Sequence, residues 1–477
     1  MQWLKQRVHA SWFIAAGCIG VLVGVALSRA VGPVGVVFLA TGSFALVLGM
    51  WRRELWMGAL VVTGGCMVGM WRGGLAVEAL NVYPQLIGKS LTISGRVSAD
   101  PQPARGGVAV ALNGIHTVGH DIAGMIYAVL PNEVSVRRED TITVRGVLAP
   151  GYGTYAASMY TAALQQVVRP KNIFLDMRDT FTAAVRRAIP EPMASLGIGF
   201  LVGQKSELPT DFSEALKIAG LTHIVVASGY NLTILVRVAR RLFAKISKYQ
   251  AALWSVAMIL GFMAITGWSA SMTRAGLVAG LSLWAWYYGR AFHPVTLLAL
   301  AACVTAMVYP PYAWGDIGWL LSFAAFAGVI ILAPLLQAYF YGAQVASGMA
   351  RILLETLSAQ LATLPIMLSA FGQFSVIALL SNIMVLSLVP IAMALTAITG
   401  ISQLLTPVIA PLIAWPAHIL LSYMVWAVNW TASFKWAQIT WLVPWWGALI
   451  CYILLVGVVL YLRRITGYQL QQVNVVE

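Results

Sequence analysis

The spacing of apolar residues divides the chain into four regions. Residues 1–75 contain three apolar runs, at 12–30, 33–50 and 55–70, each close to the roughly 20 residues with which a helix crosses a bilayer. A more polar region, 84–170, follows them. The pattern predicts three N-terminal transmembrane helices and then a domain outside the membrane.

Residues 84–170 alternate between apolar and polar positions, as strands with one buried face do. Turn-forming Pro, Gly and Asn residues separate the short segments. The strand candidates are 91–97, 108–112, 125–130, 134–137, 141–147 and 164–168. Five or six strands in roughly 80 residues predict a small β-barrel of the OB type, and a sandwich is the alternative.

Residues 172–189 predict an amphipathic helix. Acidic residues near its start and basic residues near its end suit the helix dipole, and Pro190 ends it. Region 171–214 is therefore expected to be this helix and a connector, with the helix either in the membrane interface or packed against the barrel. The apolar face consists of Phe174, Met177, Phe181, Ala184, Val185 and Ala188.

Residues 215–470 are almost continuously apolar and predict nine further spans. Pro or Gly within several runs indicates that some are broken or re-entrant. The expected fold class is mainly α: a polytopic membrane protein with about 11–12 transmembrane helices and an inserted OB-like β domain. The runs are 216–236, 251–268, 272–288, 295–309, 317–339, 352–371, 376–398, 408–430 and 443–462.

Composition supports a membrane protein. Of 477 residues, 60% are hydrophobic and only 10% are charged, whereas a soluble domain is roughly a quarter charged. This excludes an ordinary soluble enzyme, a disordered chain and a disulfide scaffold. The formal net charge is +14. Residues 215–477 carry acidic side chains only at Asp316, Glu355 and Glu477.

Lys and Arg residues in short loops predict the orientation of the chain. With Lys5 and Arg7 in the cytoplasm, the β domain is extracytoplasmic and the next span returns the chain to the cytoplasm. Both termini are then cytoplasmic in a multi-pass protein of the cell (inner) membrane, although Arg29 and Lys435 disagree. A basic loop on the cytoplasmic side either belongs to a functional surface or only fixes topology by binding anionic lipid. It comprises Arg237, Arg240, Arg241, Lys245 and Lys248.

Catalytic and metal-binding patterns are weak. Ser228 lacks the glycine two positions before the serine that a nucleophile elbow has. Asp316 has no second aspartate in a span with which to share a proton. Walker A and zinc-protease motifs do not occur, and the four cysteines lie in apolar runs without metal-ligand spacing. The sequence therefore predicts no catalytic residue, no metal and no cofactor, and the protein is not expected to be an enzyme.

Polar side chains inside apolar runs are the better indication of function, because ionisable groups are costly in hydrocarbon. Each such residue alone has the alternative role of capping a helix or joining two helices. Together they predict a polar lumen that is rich in donors and poor in carboxylates, which suits a polyanion. They are Asn231, Arg274, Asp316, Glu355, Gln360 and Asn382.

Four ordered stretches within residues 197–400 form a set of motifs. They are Gly199-Phe-Leu-Val-Gly203-Gln-Lys-Ser-Glu-Leu-Pro209 with Ala215-Leu-Lys-Ile-Ala-Gly220-Leu-Thr-His223-Ile-Val-Val-Ala-Ser228-Gly229; Ser271-Met-Thr-Arg274-Ala-Gly; Asp316-Ile-Gly-Trp-Leu-Leu-Ser322-Phe; and Gln360-Leu-Ala-Thr-Leu-Pro365 with Phe371-Gly-Gln373-Phe-Ser375 and Leu380-Ser-Asn382. The set resembles that of the ComEC-type competence proteins, the DNA-internalisation channels of natural transformation.

The chain departs from this family pattern in two places. Tyr230-Asn231 stands where the family usually has Leu-His, and Trp319-Leu320 stands where it has Phe-Gln. Many members also continue into a metallo-β-lactamase-like domain, whereas this sequence ends at Glu477. A separate nuclease is therefore expected to degrade the strand that is not transported.

The resemblance implies a channel for the uptake of single-stranded DNA. It implies as partners single-stranded DNA, membrane lipid, an extracytoplasmic DNA receptor and a cytoplasmic DNA translocase. One alternative is a secondary transporter of a small anion, which would show inverted repeats. The other is a membrane enzyme for a lipid-linked substrate. The candidate lumen residues are His223, Ser228, Asn231, Arg274, Asp316, Ser322, Gln360, Gln373 and Asn382.

Overall fold

The computed structural model describes residues 9–468 except 53, 105, 118–119, 132–134, 205–207, 226–228, 244, 290–292, 343 and 345. The chain forms two compact units. The first comprises Met1–Lys171, Gly267–Arg274 and Val295–Leu320; the second comprises Asn172–Thr266, Ala275–Pro294 and Leu321–Glu477.

Helices make up most of the second unit and almost half of the first. In chain order they are α1 (Ala10–Val31), α2 (Val36–Arg52), α3 (Met57–Leu80), α4 (Tyr83–Leu86), α5 (Ile173–Ala188), α6 (Met193–Val202), α7 (Thr210–Ile218), α8 (Thr222–Val225), α9 (Gly229–Phe243), α10 (Lys248–Thr266), α11 (Ala270–Tyr287), α12 (Pro294–Val308), α13 (Ile317–Ala327), α14 (Ala333–Tyr341), α15 (Gly348–Ala370), α16 (Ala378–Leu386), α17 (Val389–Leu405), α18 (Ala410–Ala432) and α19 (Trp445–Thr466). A 3₁₀ turn spans Pro310–Trp314, and a π-helical turn at Gly328–Leu332 joins α13 to α14.

The strands form one larger sheet in the first unit and a two-stranded ribbon in the second. They are β1 (Ser90–Val97), β2 (Gln102–Ala104), β3 (Gly107–Thr117), β4 (His120–Ile122), β5 (Ile126–Leu130), β6 (Thr141–Val147), β7 (Ala149–Pro150), β8 (Ala157–Met159), β9 (Ala163–Val168), β10 (Gln373–Ser375) and β11 (Gln438–Thr440).

In the first unit, α1 and α3 pack through glycines spaced four residues apart. Gly20 and Gly24 of α1 face α3, and Gly65 and Gly69 of α3 face α1. A Cβ atom at any of the four would overlap a backbone carbonyl oxygen of the facing helix. Small residues at this spacing let transmembrane helices approach closely, which strengthens their van der Waals contact.

We expect the Gly24→Leu substitution to separate α1 from α3, because the new side chain would meet backbone that cannot move aside locally. Overpacking of this kind costs about 1–3 kcal/mol or more. The measurement is the abundance of folded protein in membranes and its midpoint of thermal aggregation in detergent. Gly58→Leu is the matched control, because a Cβ atom at Gly58 of α3 has nothing within 4 Å; equal loss in both variants would contradict the prediction.

The strands of the first unit pair in the order β8, β5, β3, β1, β6 and β9, which forms a ring because β8 and β9 are neighbours in the sequence. β1 pairs antiparallel with β3 and β6, β3 with β5, and β6 with β9, while β5 and β8 pair in parallel. β8 and β9 are separated by residues 160–162 alone, and Ala162 N donates to Val129 O of β5 at 3.0 Å. Among the described strands no ladder closes the ring directly. The small β domain is confirmed, and its order agrees with a partly open barrel.

The alternating pattern of the β region correctly identified the buried face. Ile93 and Val97 of β1, Leu112 of β3, and Ile142 and Val144 of β6 are almost fully buried in one core. The expected strand at 134–137 is wrong for its described residues, 135–137, which are not in a strand. The backbone turns there instead, because Arg137 N donates to the Asp140 carboxylate at 2.9 Å.

Ion pairs neutralise most of the described arginines in the β domain. The Asp140 carboxylate is fully buried between Arg137, at 3.5 Å, and Arg169, at 3.3 Å. Arg96 pairs with Glu139 at 3.0 Å. The buried Arg138 lies 3.9 Å from Asp100. The described part of the domain therefore presents little unpaired positive charge.

The amphipathic helix is confirmed as α5. Asn172 caps it by accepting from Phe174 N at 3.1 Å and Leu175 N at 3.4 Å. The helix packs on α17, where Gly400 accommodates the Phe181 ring. The expected single apolar face is divided, because Phe174 and Met177 are exposed. Placement in the membrane interface stays a prediction.

Seven described helices are long and apolar enough to cross a membrane, or eight if the bent pair α16–α17 is one span. Three shorter apolar helices, α2, α6 and α12, accompany them. A mainly α, multi-pass membrane protein with an inserted β domain is therefore confirmed. Several of the expected spans are shorter helices or broken ones, which explains why the runs outnumber the long helices.

The run at 216–236 is not one continuous helix, contrary to expectation. It contains the end of α7, all of α8 and the start of α9, with 226–228 outside the described residues. Gly220 interrupts it with a φ of +72°, and a Cβ atom there would lie 2.5 Å from Ala378 Cβ. The close approach of α16 therefore fixes a turn that hydropathy does not reveal.

Candidate functional site

Two glycines of α6 pack against neighbouring helices of the second unit. Gly199 of α6 lies against Val225 of α8, and Gly197 lies against Thr396 of α17. A Cβ atom at Gly199 would lie 2.9 Å from the Val225 carbonyl oxygen. These glycines therefore permit close helix contacts in an apolar core, and their role here is packing.

Asn231 ties α9 to α6. Its side chain is fully buried, and Nδ2 donates to the Phe200 carbonyl oxygen at 2.9 Å. A hydrogen bond from a side-chain amide to the backbone of a neighbouring helix fixes both segments in an apolar surrounding. Asn231 therefore joins two helices.

Two motifs that are distant in sequence meet at the turn between α7 and α8. Ser375 Oγ donates to Ile218 O, and Ser381 Oγ donates to Ala219 O, both at 2.6 Å. These carbonyls lie at the end of α7, where helix geometry leaves carbonyl oxygens without intrahelical donors. Ser375 and Ser381 belong to the sequence motifs, but the motifs did not reveal their contact with this turn.

The other candidates of the second unit occupy different surroundings. Asn382 is buried in α16, and its Nδ2 donates to Ala378 O at 2.8 Å, while its Oδ1 accepts no hydrogen bond from the described residues. Gln373 Oε1 accepts from Gln438 Nε2 at 3.0 Å across the exposed β10–β11 ribbon. Ser322 and Gln360 are half-buried in α13 and α15, His223 is exposed in α8, and Ser228 lies outside the described residues.

Arg274 and Asp316 belong to the first unit. Asp316 caps α13, since its Oδ1 accepts from Trp319 N at 2.5 Å. Arg274 is half-buried in the first turns of α11. Both positions agree with the helix starts expected from the sequence. Capping a helix was an alternative role for both residues, and the structure shows this role for Asp316.

The basic loop forms a basic–aromatic patch, which we define as Arg237, Arg240, Arg241, Lys245, Lys248, Trp286 and Tyr287. The Arg240 guanidinium carbon lies 4.4 Å from the centre of the Trp286 ring. Lys248 Nζ lies 5.5 Å from the same ring and 5.6 Å from that of Tyr287. A cation over an aromatic face is held by the ring quadrupole. The side chains of α9 and α10 are therefore fixed against the end of α11.

The patch is exposed, and a carboxylate lies close to it. Arg237, Arg241, Lys245 and Lys248 are exposed. Glu355 of α15 lies within electrostatic reach of Arg237. The patch thus keeps a strong positive excess beside aromatic rings. The sequence did not single out Trp286 and Tyr287, because an apolar run does not show which of its rings face a neighbouring helix.

A second feature lies on the β domain. A cleft of about 390 Å³ is lined by Arg96, Asn113, Gly114, His116 and Thr141. His116 Nδ1 lies 2.5 Å from the Asp121 carboxylate, and both side chains are exposed. No group of three or more His, Cys, Asp or Glu side chains suited to a metal occurs among the described residues.

Comparison with known proteins places the chain in a family. Residues 200–465, more than half of the chain, match the family described as "Competence protein". The chain belongs to the competence protein family. It is also similar to "ComE operon protein 3" of Bacillus subtilis (strain 168), with 22% identity over 244 residues, which is 50% of this chain and 30% of the relative. The match thus spans less than a third of that relative's length. No solved structure matches.

Proposed function

We propose that this protein is an inner-membrane channel through which single-stranded DNA enters the cell during natural transformation. Membership of the competence family supports a role in DNA uptake, and the multi-pass helical architecture supports a conduit. The relative in Bacillus subtilis is much longer than the matched region, so the proposal rests on residues of this chain. The observation that carries it is the basic–aromatic patch.

The patch has the two chemistries that a single strand requires. Guanidinium and ammonium groups neutralise phosphates, and aromatic rings stack with bases whatever the sequence. Arg240 and Lys248 combine both, because each cation lies over a ring. A small anion needs no aromatic rings. An enzyme that acts on a lipid-linked substrate would need a pair of carboxylates or histidines near the patch. The acid that the structure describes near the patch is Glu355.

The orientation follows from the same residues. Because Lys and Arg accumulate on the cytoplasmic side, the patch is cytoplasmic, both termini are cytoplasmic, and the β domain is extracytoplasmic. Helix α5 lies at the extracytoplasmic interface of the inner membrane, where its exposed Ile173, Phe174 and Met177 contact lipid. The DNA strand then enters on the extracytoplasmic side, where the β domain lies, and leaves on the cytoplasmic side, where the patch lies.

The polar residues recognised in the sequence are proposed as parts of the path. Arg274, His223, Ser228, Ser322, Gln360 and Gln373 supply donors along it, and Asn382 supplies a buried amide oxygen without a described partner. Passage is passive, so a cytoplasmic translocase provides the driving force. An extracytoplasmic receptor delivers the DNA to the channel. The channel itself uses no cofactor.

Deleting the gene should abolish transformation while leaving DNA bound at the cell surface, because the block comes after capture. The measurement pairs transformant counts with the amount of labelled DNA that is protected from external nuclease in the cytoplasm. Restoring the gene on a plasmid should restore both readings. Normal transformation in the deletion strain would contradict the function and favour the transporter or the lipid-linked enzyme.

A further inference from the structure

Five tyrosines from separate segments of the first unit form a cluster. Tyr127 of β5 lies 5.4 Å from both Tyr152 and Tyr155, measured between ring centres, and the latter two are 5.5 Å apart. Tyr309 and Tyr312, at the end of α12 and in the 3₁₀ turn, are 5.0 Å apart. We call these five residues the tyrosine cluster.

A hydrogen bond joins the two halves of the cluster. Tyr309 Oη donates to Thr154 O at 3.1 Å, in the loop that carries Tyr152 and Tyr155. Tyr155 also lies within electrostatic reach of Tyr309 and Tyr312. The cluster therefore occupies the place where the β domain meets the helices of its own unit.

The rings of the cluster remain accessible. Tyr152 is 49% exposed, and the other four rings are half-buried. This differs from the core of the β domain, which consists mainly of fully buried aliphatic side chains. A joint that only held the two parts together would gain more free energy by burying aliphatic groups than by leaving aromatic faces in water.

A carboxylate and a guanidinium group lie near the cluster. Asp316 lies within electrostatic reach of Tyr155, Tyr309 and Tyr312. An Arg72 guanidinium nitrogen donates to Val308 O at 3.0 Å, next to Tyr309 in sequence. An ordinary tyrosine is neutral at physiological pH, and burial and the neighbouring rings raise the pKa of Tyr152 further. A phosphodiester therefore meets no phenolate there.

We infer that the tyrosine cluster is a stacking site for the unpaired bases of an incoming single strand, at the passage from the β domain to the membrane helices. This inference rests on the proposed function. An unpaired base exposes a flat face that stacks on tyrosine whatever its identity, whereas a duplex hides its faces. Tyr152 is the main contact because its ring is the most exposed of the five.

The test uses the full chain in lipid nanodiscs and a 20-nucleotide oligothymidylate that carries 5-iodouracil for photo-crosslinking. Loss of one stacked base should weaken binding by about 5-fold or more in Tyr152→Leu. Tyr152→Phe and Tyr152→Trp should bind like the wild type, because they keep an aromatic face. Crosslinks should map to the cluster, and a duplex of the same sequence should not crosslink there.

Tyr339→Leu is the matched control, since Tyr339 of α14 is 50% exposed and lies outside the cluster. Wild-type binding by Tyr152→Leu would overturn the inference. So would equal losses in Tyr152→Phe and Tyr152→Leu, which would indicate a hydroxyl-dependent joint. The proposed function fails separately if the wild-type chain binds no single strand and the deletion strain transforms normally.

Discussion

Replacing all five cations of the basic–aromatic patch by glutamine should abolish most transformation and weaken binding of single-stranded DNA. Each phosphate contact contributes about 0.7 to the slope of log affinity against log salt for a single strand. If Arg237, Arg240, Arg241, Lys245 and Lys248 each neutralise a phosphate, the slope should fall in magnitude by up to about 3.5. Titrations of the full chain in nanodiscs at several salt concentrations measure this change directly.

The contribution of the aromatic rings to DNA binding should be measurable separately from that of the cations. Trp286→Leu keeps all five cations and removes the ring beneath Arg240 and Lys248. Stacking of one base on a ring contributes about 1–3 kcal/mol, so affinity should fall while the salt slope stays unchanged. An unchanged affinity would show that bases do not stack at this ring.

The control must separate DNA binding from membrane orientation, because basic residues also set topology. Arg463→Gln with Arg464→Gln removes two exposed cations from the last turn of α19 and should leave the salt slope unchanged. A C-terminal reporter checks the orientation of every variant. If the variant with all five substitutions keeps its orientation and its salt slope, the patch does not bind the DNA strand. Its role would then be only to set topology and to bind anionic lipid.

Local signals in the sequence predicted the elements that local chemistry determines. Asn172 begins α5 because its side chain satisfies the first backbone donors of the helix, and this depends on neighbouring residues alone. The strands of the β domain were recognisable for a similar reason, since alternation with period two marks one buried face. The order of the strands was less accessible, because β8 and β9 belong to one segment of the chain but pair with different strands, β5 and β6.

Contacts between distant residues determine what the sequence did not reveal. The run at 216–236 is apolar enough for one helix, yet Gly220 turns the chain because Ser375 and Ala378 approach it. Hydropathy carries no information about that approach. The same limit applies to the candidate site: Asn231 was recognised by its polarity, but its partner, the Phe200 carbonyl, depends on how α9 packs on α6.

The Asp140→Asn substitution should destabilise the β domain by about 3 kcal/mol, because removing one partner of a buried ion pair leaves the other without compensation. The Asp140 carboxylate is fully buried and pairs with Arg137 and Arg169. It also accepts from Arg137 N at 2.9 Å, which fixes the turn before β6. For a domain of this size, such a loss lowers the melting temperature by roughly 10–20 °C.

Pulse proteolysis of the full-length protein in increasing urea, with fragments mapped to the β domain, measures this loss. Glu139→Gln is the matched control in the same turn, because Glu139 pairs at 3.0 Å with Arg96, whose side chain is 53% exposed. An exposed pair contributes about 1 kcal/mol or less, so the control should unfold near the wild-type urea concentration. Equal shifts in the two variants would show that burial of Asp140 does not determine the stability of the β domain.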